Sequence, residues 1–119
     1  VENNRRLRSL ARRADFLNLK AAGRSLHINS WLLINVQATD SGEFRCGFTL
    51  SRYTGTAVVR NRLRRWGKEY LRKWVSKNRA SVDLNLIFKR QEKGFYASVS
   101  HKDFDAVMDK LAAKLERYV

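Results

Sequence analysis

The sequence predicts an α+β fold, a two-layer sandwich in which helices cover one face of a small mixed sheet. Three observations carry that prediction. Residues 31–38, 44–52 and 81–90 alternate apolar and polar side chains with the period of a strand. Residues 5–22, 56–77 and 101–118 repeat apolar side chains every three or four positions, the period of a helix. The elements run in the order helix, strand, strand, helix, strand, helix. With no internal repeat and no linker, residues 1–119 read as one domain.

The first helix is expected over Arg5–Ala22, where Leu7, Leu10, Ala11, Ala14, Leu17 and Ala21 share a face and Gly23 ends the turn. Ser25–Ile28 leaves room for a short strand. In WLLINVQA (31–38), Leu32, Ile34 and Val36 point one way, Asn35 and Gln37 the other. TDSGE (39–43) has turn chemistry. FRCGFTLSR (44–52) alternates again, with Phe44, Cys46, Phe48 and Leu50 on one face, so an antiparallel hairpin is expected here. RYTGT (52–56) breaks the strand, and Thr54 or Thr56 can cap the next helix.

That helix runs to about Lys77 and carries Val59, Leu63, Trp66, Tyr70 and Trp74 as its core stripe. Gly67 inside it costs about 1 kcal/mol against Ala, which close approach of another backbone would explain. SVDLNLIFKR (81–90) is the clearest strand, with Val82, Leu84, Leu86 and Phe88 on one side. QEKGF (91–95) breaks it. Ser100–Asp103 has capping-box spacing, and Phe104, Met108, Leu111, Leu115 and Tyr118 form the stripe of a last helix.

The chain has 119 residues, 25 of them Lys or Arg and 11 Asp or Glu, for a net charge of +14. The excess is concentrated. Residues 1–24 hold seven basic and two acidic residues, and residues 54–79 hold nine basic residues against Glu69 alone. Such clustering points to a polyanion. Put Leu63 at the centre of the apolar stripe of helix 56–77. Arg60 and Arg62 then flank it, while Asn61, Arg64, Arg65, Lys68 and Arg72 take the far face. Arginine leads lysine six to three over residues 54–79, and guanidinium groups bind phosphate in bidentate fashion. Arg60→Ala and Arg62→Ala are therefore expected to weaken nucleic-acid binding and leave the thermal melt almost unchanged.

No zinc pattern, zipper or helix-turn-helix pairing accompanies the basic helix, which disfavours a major-groove reader. Phe16, Phe48 and Tyr53 lie near basic segments and can stack on unpaired bases, so RNA is favoured.

The stretch GFTLSRYTGTAVVRNRLRRWGKEYLR (47–72) resembles the signature of the bacterial ribonuclease P protein component. The matching residues are Ser51, Arg52, Gly55, Ala57, Val58, Arg60, Asn61, Arg62, Arg64, Arg65, Glu69 and Arg72. ADFLNLKAAG (14–23), VDLNLIFKR and HKDFDAVMDKLAAKL are similar to further elements of that family, so the likeness covers nearly the whole chain. The resemblance implies a fold like the second domain of ribosomal protein S5, with a left-handed crossover against the usual rule. It implies a protein that joins a catalytic RNA, which removes the 5′ leader of precursor tRNA.

By the same resemblance Arg60, Asn61, Arg62, Arg64, Arg65, Lys68 and Arg72 would meet the catalytic RNA. Phe16, Lys20, Phe48, Ser51, Arg52, Tyr53 and Lys89 would lie in or beside a cleft for the single-stranded leader. Magnesium is implied as the RNA's metal, with none bound by the protein alone. The chain departs from the family at Lys20 and Ile34, where aromatics are common, and at Tyr53, where a second basic residue is.

No catalytic constellation is visible in the chain itself. His27 and His101 are far apart in sequence and outside any ligand pattern, and one cysteine makes no zinc site. Cys46 reads as a buried structural thiol. There is no phosphate-binding glycine loop or nucleophile elbow. No run of about 18 apolar residues spans a membrane, and the N-terminus lacks an apolar leader core, so a cytoplasmic location is expected. Two alternatives compete: a ribosomal-type RNA-binding protein without a role in tRNA processing, and a basic protein of membrane surfaces. The second needs a free apolar face, which the core stripe does not leave.

Overall fold

A computed structural model describes residues 6–119. The elements are β1 (Leu7–Ser9), α1 (Arg13–Ala22), β2 (Arg24–His27), β3 (Leu32–Ala38), β4 (Phe44–Thr49), α2 (Ala57–Lys77), β5 (Val82–Phe88), α3 (Phe95–Ser98) and α4 (His101–Leu115). The five strands form one mixed sheet in the order β1-β4-β5-β3-β2. β1, β4 and β5 run parallel, and β3 is antiparallel to both β5 and β2.

The first expected helix is shorter than its apolar period. Leu7–Ser9 pairs in parallel with Phe44–Cys46, and the helix starts at Arg13. Leu7 and Leu10 thus serve the sheet edge rather than a helical stripe, and Leu10 N–H donates to the Cys46 carbonyl at 3.0 Å. Arg5, the expected start, lies outside the described residues.

The expected hairpin does not form either. β3 and β4 are antiparallel in direction, but β5 lies between them. Six of the seven β5 residues are buried, so this strand gains most from having neighbours on both edges. The 39–43 loop arches over its start: Thr39 N–H donates to the Ser81 carbonyl at 2.9 Å and Val82 N–H to the Glu43 carbonyl at 3.1 Å. Crossing two strand spacings takes about 10 Å, within reach of five residues.

One sheet face carries the main core. Leu32, Ile34, Val36, Phe44, Cys46, Val82, Leu84, Leu86 and Phe88 pack there with α2 and α4. Ile34 is fully buried in it. The α2 stripe drifts from the expected one. Val59, Leu63, Trp66, Gly67, Leu71 and Val75 are buried, while Tyr70 and Trp74 sit at the margin. An ideal helix turns 100° per residue, so a stripe of steady four-residue steps rotates away from the core. Gly67 admits a side chain and not a backbone: a Cβ there would lie 2.6 Å from the Phe48 ring.

α1 departs from the two-layer expectation by crossing the opposite sheet face, where it packs on β3 and β5. Arg45 fixes it. The guanidinium grips Asp83 through Nε at 2.8 Å and Nη2 at 2.7 Å, and its Nη1 lies 3.7 Å from Asp15 of α1.

Candidate nucleic-acid interface

The basic helix is built to be rigid. Thr56 Oγ1 accepts from Val59 N–H at 3.3 Å and closes its first turn. Its buried stripe then locks rotation, so the outer side chains leave from fixed Cα positions. Arg60, Arg64, Lys68 and Arg72 follow one another at four-residue steps, with Asn61 and Arg65 on the next row. The ridge is about 18 Å long at 1.5 Å per residue. Asn61, Arg65 and Arg72 are exposed, and Arg64 and Lys68 half-buried. Asn61 Oδ1 accepts from Arg64 Nη1 at 2.9 Å, which holds that guanidinium outward. Glu69 alone offers a carboxylate on this helix, a loose 3.9 Å pair with Arg65.

Arg62 departs from the expected role. Its Nη2 donates to the carbonyls of Tyr96 and Ala97, at 3.3 and 3.1 Å. Its guanidinium lies 5.0 Å from the Trp66 ring centre, and the Trp66 ring stacks on His101 at 4.5 Å. Arg62 therefore ties α2 to the α3–α4 junction, and its loss would disturb the fold. The Nε atoms of Arg60 and Arg62 are buried without a hydrogen-bond partner among the described residues.

A second feature lies across the sheet. Phe16, Leu17 and Lys20 of α1 face Ser25, Leu33, Asn35, Thr49, Asn85 and Ile87 of the sheet around a cleft of about 380 Å³. Strand register assembles its floor: Ser25 pairs with Asn35, Asn35 with Asn85, and Asn85 with Gly47. Gly47 lets the Phe16 ring lie on the sheet, since a Cβ there would stand 2.4 Å from it. Ser25 Oγ donates to Asn35 Oδ1 at 2.8 Å, and Asn85 Nδ2 to Thr49 Oγ1 at 2.9 Å. Amide and hydroxyl groups on the floor, an aromatic wall and a lysine at the rim suit an unpaired base with its phosphate.

The structure groups some of the expected leader residues and separates others. Phe16 and Lys20 line the cleft. Phe48 does not; it points to the opposite face, beneath Gly67 of α2. Alternation from Phe44 put it on the core face, and the packing there uses its ring. Ser51 Oγ accepts from Tyr53 N–H at 3.2 Å and so shapes the turn that carries Arg52 and Tyr53. Lys89 follows the end of β5, two residues after Ile87 of the cleft. The sequence reading missed Asn35, Thr49, Asn85 and Ile87 as lining residues. Their signal was present, because strand alternation already turned Asn35 and Asn85 away from the core.

The hydrogen bond to Asp83 raises the Arg45 pKa, outweighing burial, so the guanidinium keeps its charge. Burial pushes the Cys46 thiol well up, with Lys68 only partly opposing it. Among the described residues no group of His, Cys, Asp and Glu is placed to hold a metal ion, and no helix is long and apolar enough to cross a membrane.

The Ribonuclease P family profile matches residues 4–116. The chain is 31% identical to the ribonuclease P protein component of Desulforapulum autotrophicum over 91% of this chain and 88% of that one. It is 30% identical to that of Chloroflexus aurantiacus, over 95% and 78%. Its fold superposes on the Thermotoga maritima RNase P protein with a TM-score of 0.74 at 28% identity, covering 92% and 96% of the two chains. The Staphylococcus aureus RNase P protein shares the fold, with a TM-score of 0.79 at 18% identity and 93% and 97% coverage. Over nearly its whole length, from the edge strand to the last helix, the chain therefore belongs to the ribonuclease P family.

Proposed function

We propose that the chain binds the catalytic RNA of ribonuclease P along the outer face of α2 and the 5′ leader of precursor tRNA in the cleft between α1 and the sheet. The enzyme to which the family belongs cleaves tRNA precursors. The observation that carries it is the rigid ridge of Arg60, Arg64, Arg65, Lys68 and Arg72, whose cations meet one loose carboxylate in 18 Å of helix. Phosphate oxygens supply the missing anions.

The hydrolysis itself falls to the RNA, and the magnesium it needs is held mainly by RNA. The protein lowers phosphate repulsion and holds the leader, so that less metal is required to fold the RNA and seat the substrate. A cytoplasmic location fits this reading, because bacterial precursor tRNA is made there. Reconstitution with the cognate RNA at low magnesium tests the reading. Cleavage of precursor tRNA at the mature 5′ end should rise sharply when the protein is added. Tight binding of ribosomal RNA with no stimulation of cleavage would favour the ribosomal-type alternative.

A further inference from the structure

The basic surface of α2 does not stop at Arg72. Four-residue steps carry the row of Asn61 and Arg65 on through Glu69 to Lys73 and Lys77, both exposed. The adjacent row runs from Trp66 through Tyr70 and Trp74 to Asn78. Between the two rows, at the last turns of the helix, lies a groove of about 200 Å³ lined by Tyr70, Lys73, Trp74, Lys77 and Asn78, with no carboxylate in its lining. It is remote from the cleft. Trp74 meets Phe44, which pairs with Val82 at the start of β4 and β5, whereas the cleft lies on the other sheet face and reaches Thr49 and Ile87 at their far end.

Packing accounts for only part of this groove. Trp31 and Trp66 are 7% and 8% exposed and belong to the core. Trp74 is half-buried: Phe44 meets its ring at 5.7 Å between centres, and the rest of the indole borders the groove. The Tyr70 hydroxyl donates to Asp109 of α4 at 2.5 Å, which holds that ring as a wall. Asn78 Nδ2 donates to the Trp74 carbonyl at 2.8 Å and closes the helix end. The helix dipole explains a cation in the last turn, where Lys77 stands. Lys73 lies a full turn earlier, where that effect has faded. Two cations beside an open indole suit an anion that carries a flat ring. The volume is below the roughly 300–1,000 Å³ of a drug-sized ligand's pocket, so it takes one ring system and no more. A second copy of the chain would bring its own charge of +14 and be repelled.

We propose that this groove holds one unpaired nucleotide of the catalytic RNA, with its base stacked on Trp74 and its phosphate held by Lys73 and Lys77. This rests on the reading of α2 as the face that meets that RNA, and it carries the face about 18 Å beyond Arg65. The arginine ridge answers to phosphate charge alone. Trp74 adds a preference for a place where a base has left its stack, so it sets the register of the helix on the RNA.

The test titrates the cognate catalytic RNA with the full chain. Trp74→Ala should weaken binding about tenfold, whereas Trp74→Phe should keep most of the affinity. Because Trp74 also touches Phe44, the double variant Lys73→Ala with Lys77→Ala gives a second arm at two exposed positions. It should melt with wild type and bind the RNA several-fold more weakly. Trp31 and Trp66 are buried, so acrylamide quenching of the free protein reports Trp74, and added catalytic RNA should protect it. Chemical probing should find one unpaired base shielded in the wild-type complex and open again in the Trp74→Ala complex. If Trp74→Ala and the double lysine variant both bind like wild type while Arg65→Ala binds weakly, the groove is overturned and the ridge stands. If Arg65→Ala also binds like wild type, both readings fall. Protection of Trp74 that grows with protein concentration when no RNA is added would give the groove to a second copy and overturn the proposal.

Discussion

Arg62 donates to two backbone carbonyls of the α3 segment and lies over Trp66, whereas Arg65, three positions on, is exposed and holds only a long contact to Glu69. The same residue type on one helix therefore serves two ends. Arg62→Ala should lower unfolding stability by about 2 kcal/mol, because charged hydrogen bonds of this kind are worth about 1.5–3 kcal/mol. Arg65→Ala should leave stability within about 0.5 kcal/mol of wild type and reduce affinity for the catalytic RNA. Denaturant melts of both variants decide the matter, and superimposable curves for Arg62→Ala and wild type would reject the tie to α3. Cys46 gives a second check at this scale. Its thiol is fully buried on the core face, contacts the Gly47 carbonyl at 3.6 Å and is held protonated by desolvation. Only the thiolate reacts. A thiol-specific reagent should therefore leave the native protein unlabelled at pH 8 and label one site per chain in denaturant.

Two glycines position elements on either face of the sheet, and their substitution should separate folding from binding. A Cβ at Gly67 would meet the Phe48 ring at 2.6 Å, inside the main core. Alanine gains about 1 kcal/mol of helix propensity, but overpacking costs about 1–3 kcal/mol, so Gly67→Ala should lower stability by about 1 kcal/mol. A Cβ at Gly47 would meet the half-buried Phe16 ring, which can swing toward solvent. Gly47→Ala should therefore melt close to wild type while losing most of the affinity gained from the leader. If both variants lost stability equally, Phe16 would be a core residue and not a cleft wall.

These element contacts also show what the sequence could convey. Helix α2 was legible from local period and capping, since Thr56 and the buried stripe lie within one segment. The arginine ridge was legible for the same reason. The placement of β5 between β3 and β4 was not, because it depends on pairings 38 to 56 residues apart, whose partners alternation does not name. The cleft needed α1 on the far face, and that follows from Arg45, Asp83 and Asp15 meeting across three elements. Arg62 was misread because its acceptors, the carbonyls of Tyr96 and Ala97, carry no signature in the side-chain sequence.

At the scale of the whole molecule, a net charge of +14 sets folding and binding against each other as salt rises. In the free protein the cations of α2 repel, and screening them favours the compact state. The Arg45–Asp83 pair is bidentate, with Asp83 nearly buried, so salt weakens it less than it weakens the exposed repulsions. The free protein should therefore melt at a higher temperature as monovalent salt increases. Binding runs the other way, since each neutralised phosphate releases counterions. If Arg60, Arg64, Arg65, Lys68 and Arg72 each meet one phosphate, the log–log slope of affinity against salt should be about −4, a loss of about 10²-fold between 50 and 200 mM. Arg65→Ala should reduce that slope by about one. Titrations of the catalytic RNA at four or five salt concentrations, paired with melts of the free protein in the same buffers, measure both trends. A slope near zero, or a melt that falls as salt rises, would mean that the ridge is already neutralised within the fold and is not the surface that meets RNA.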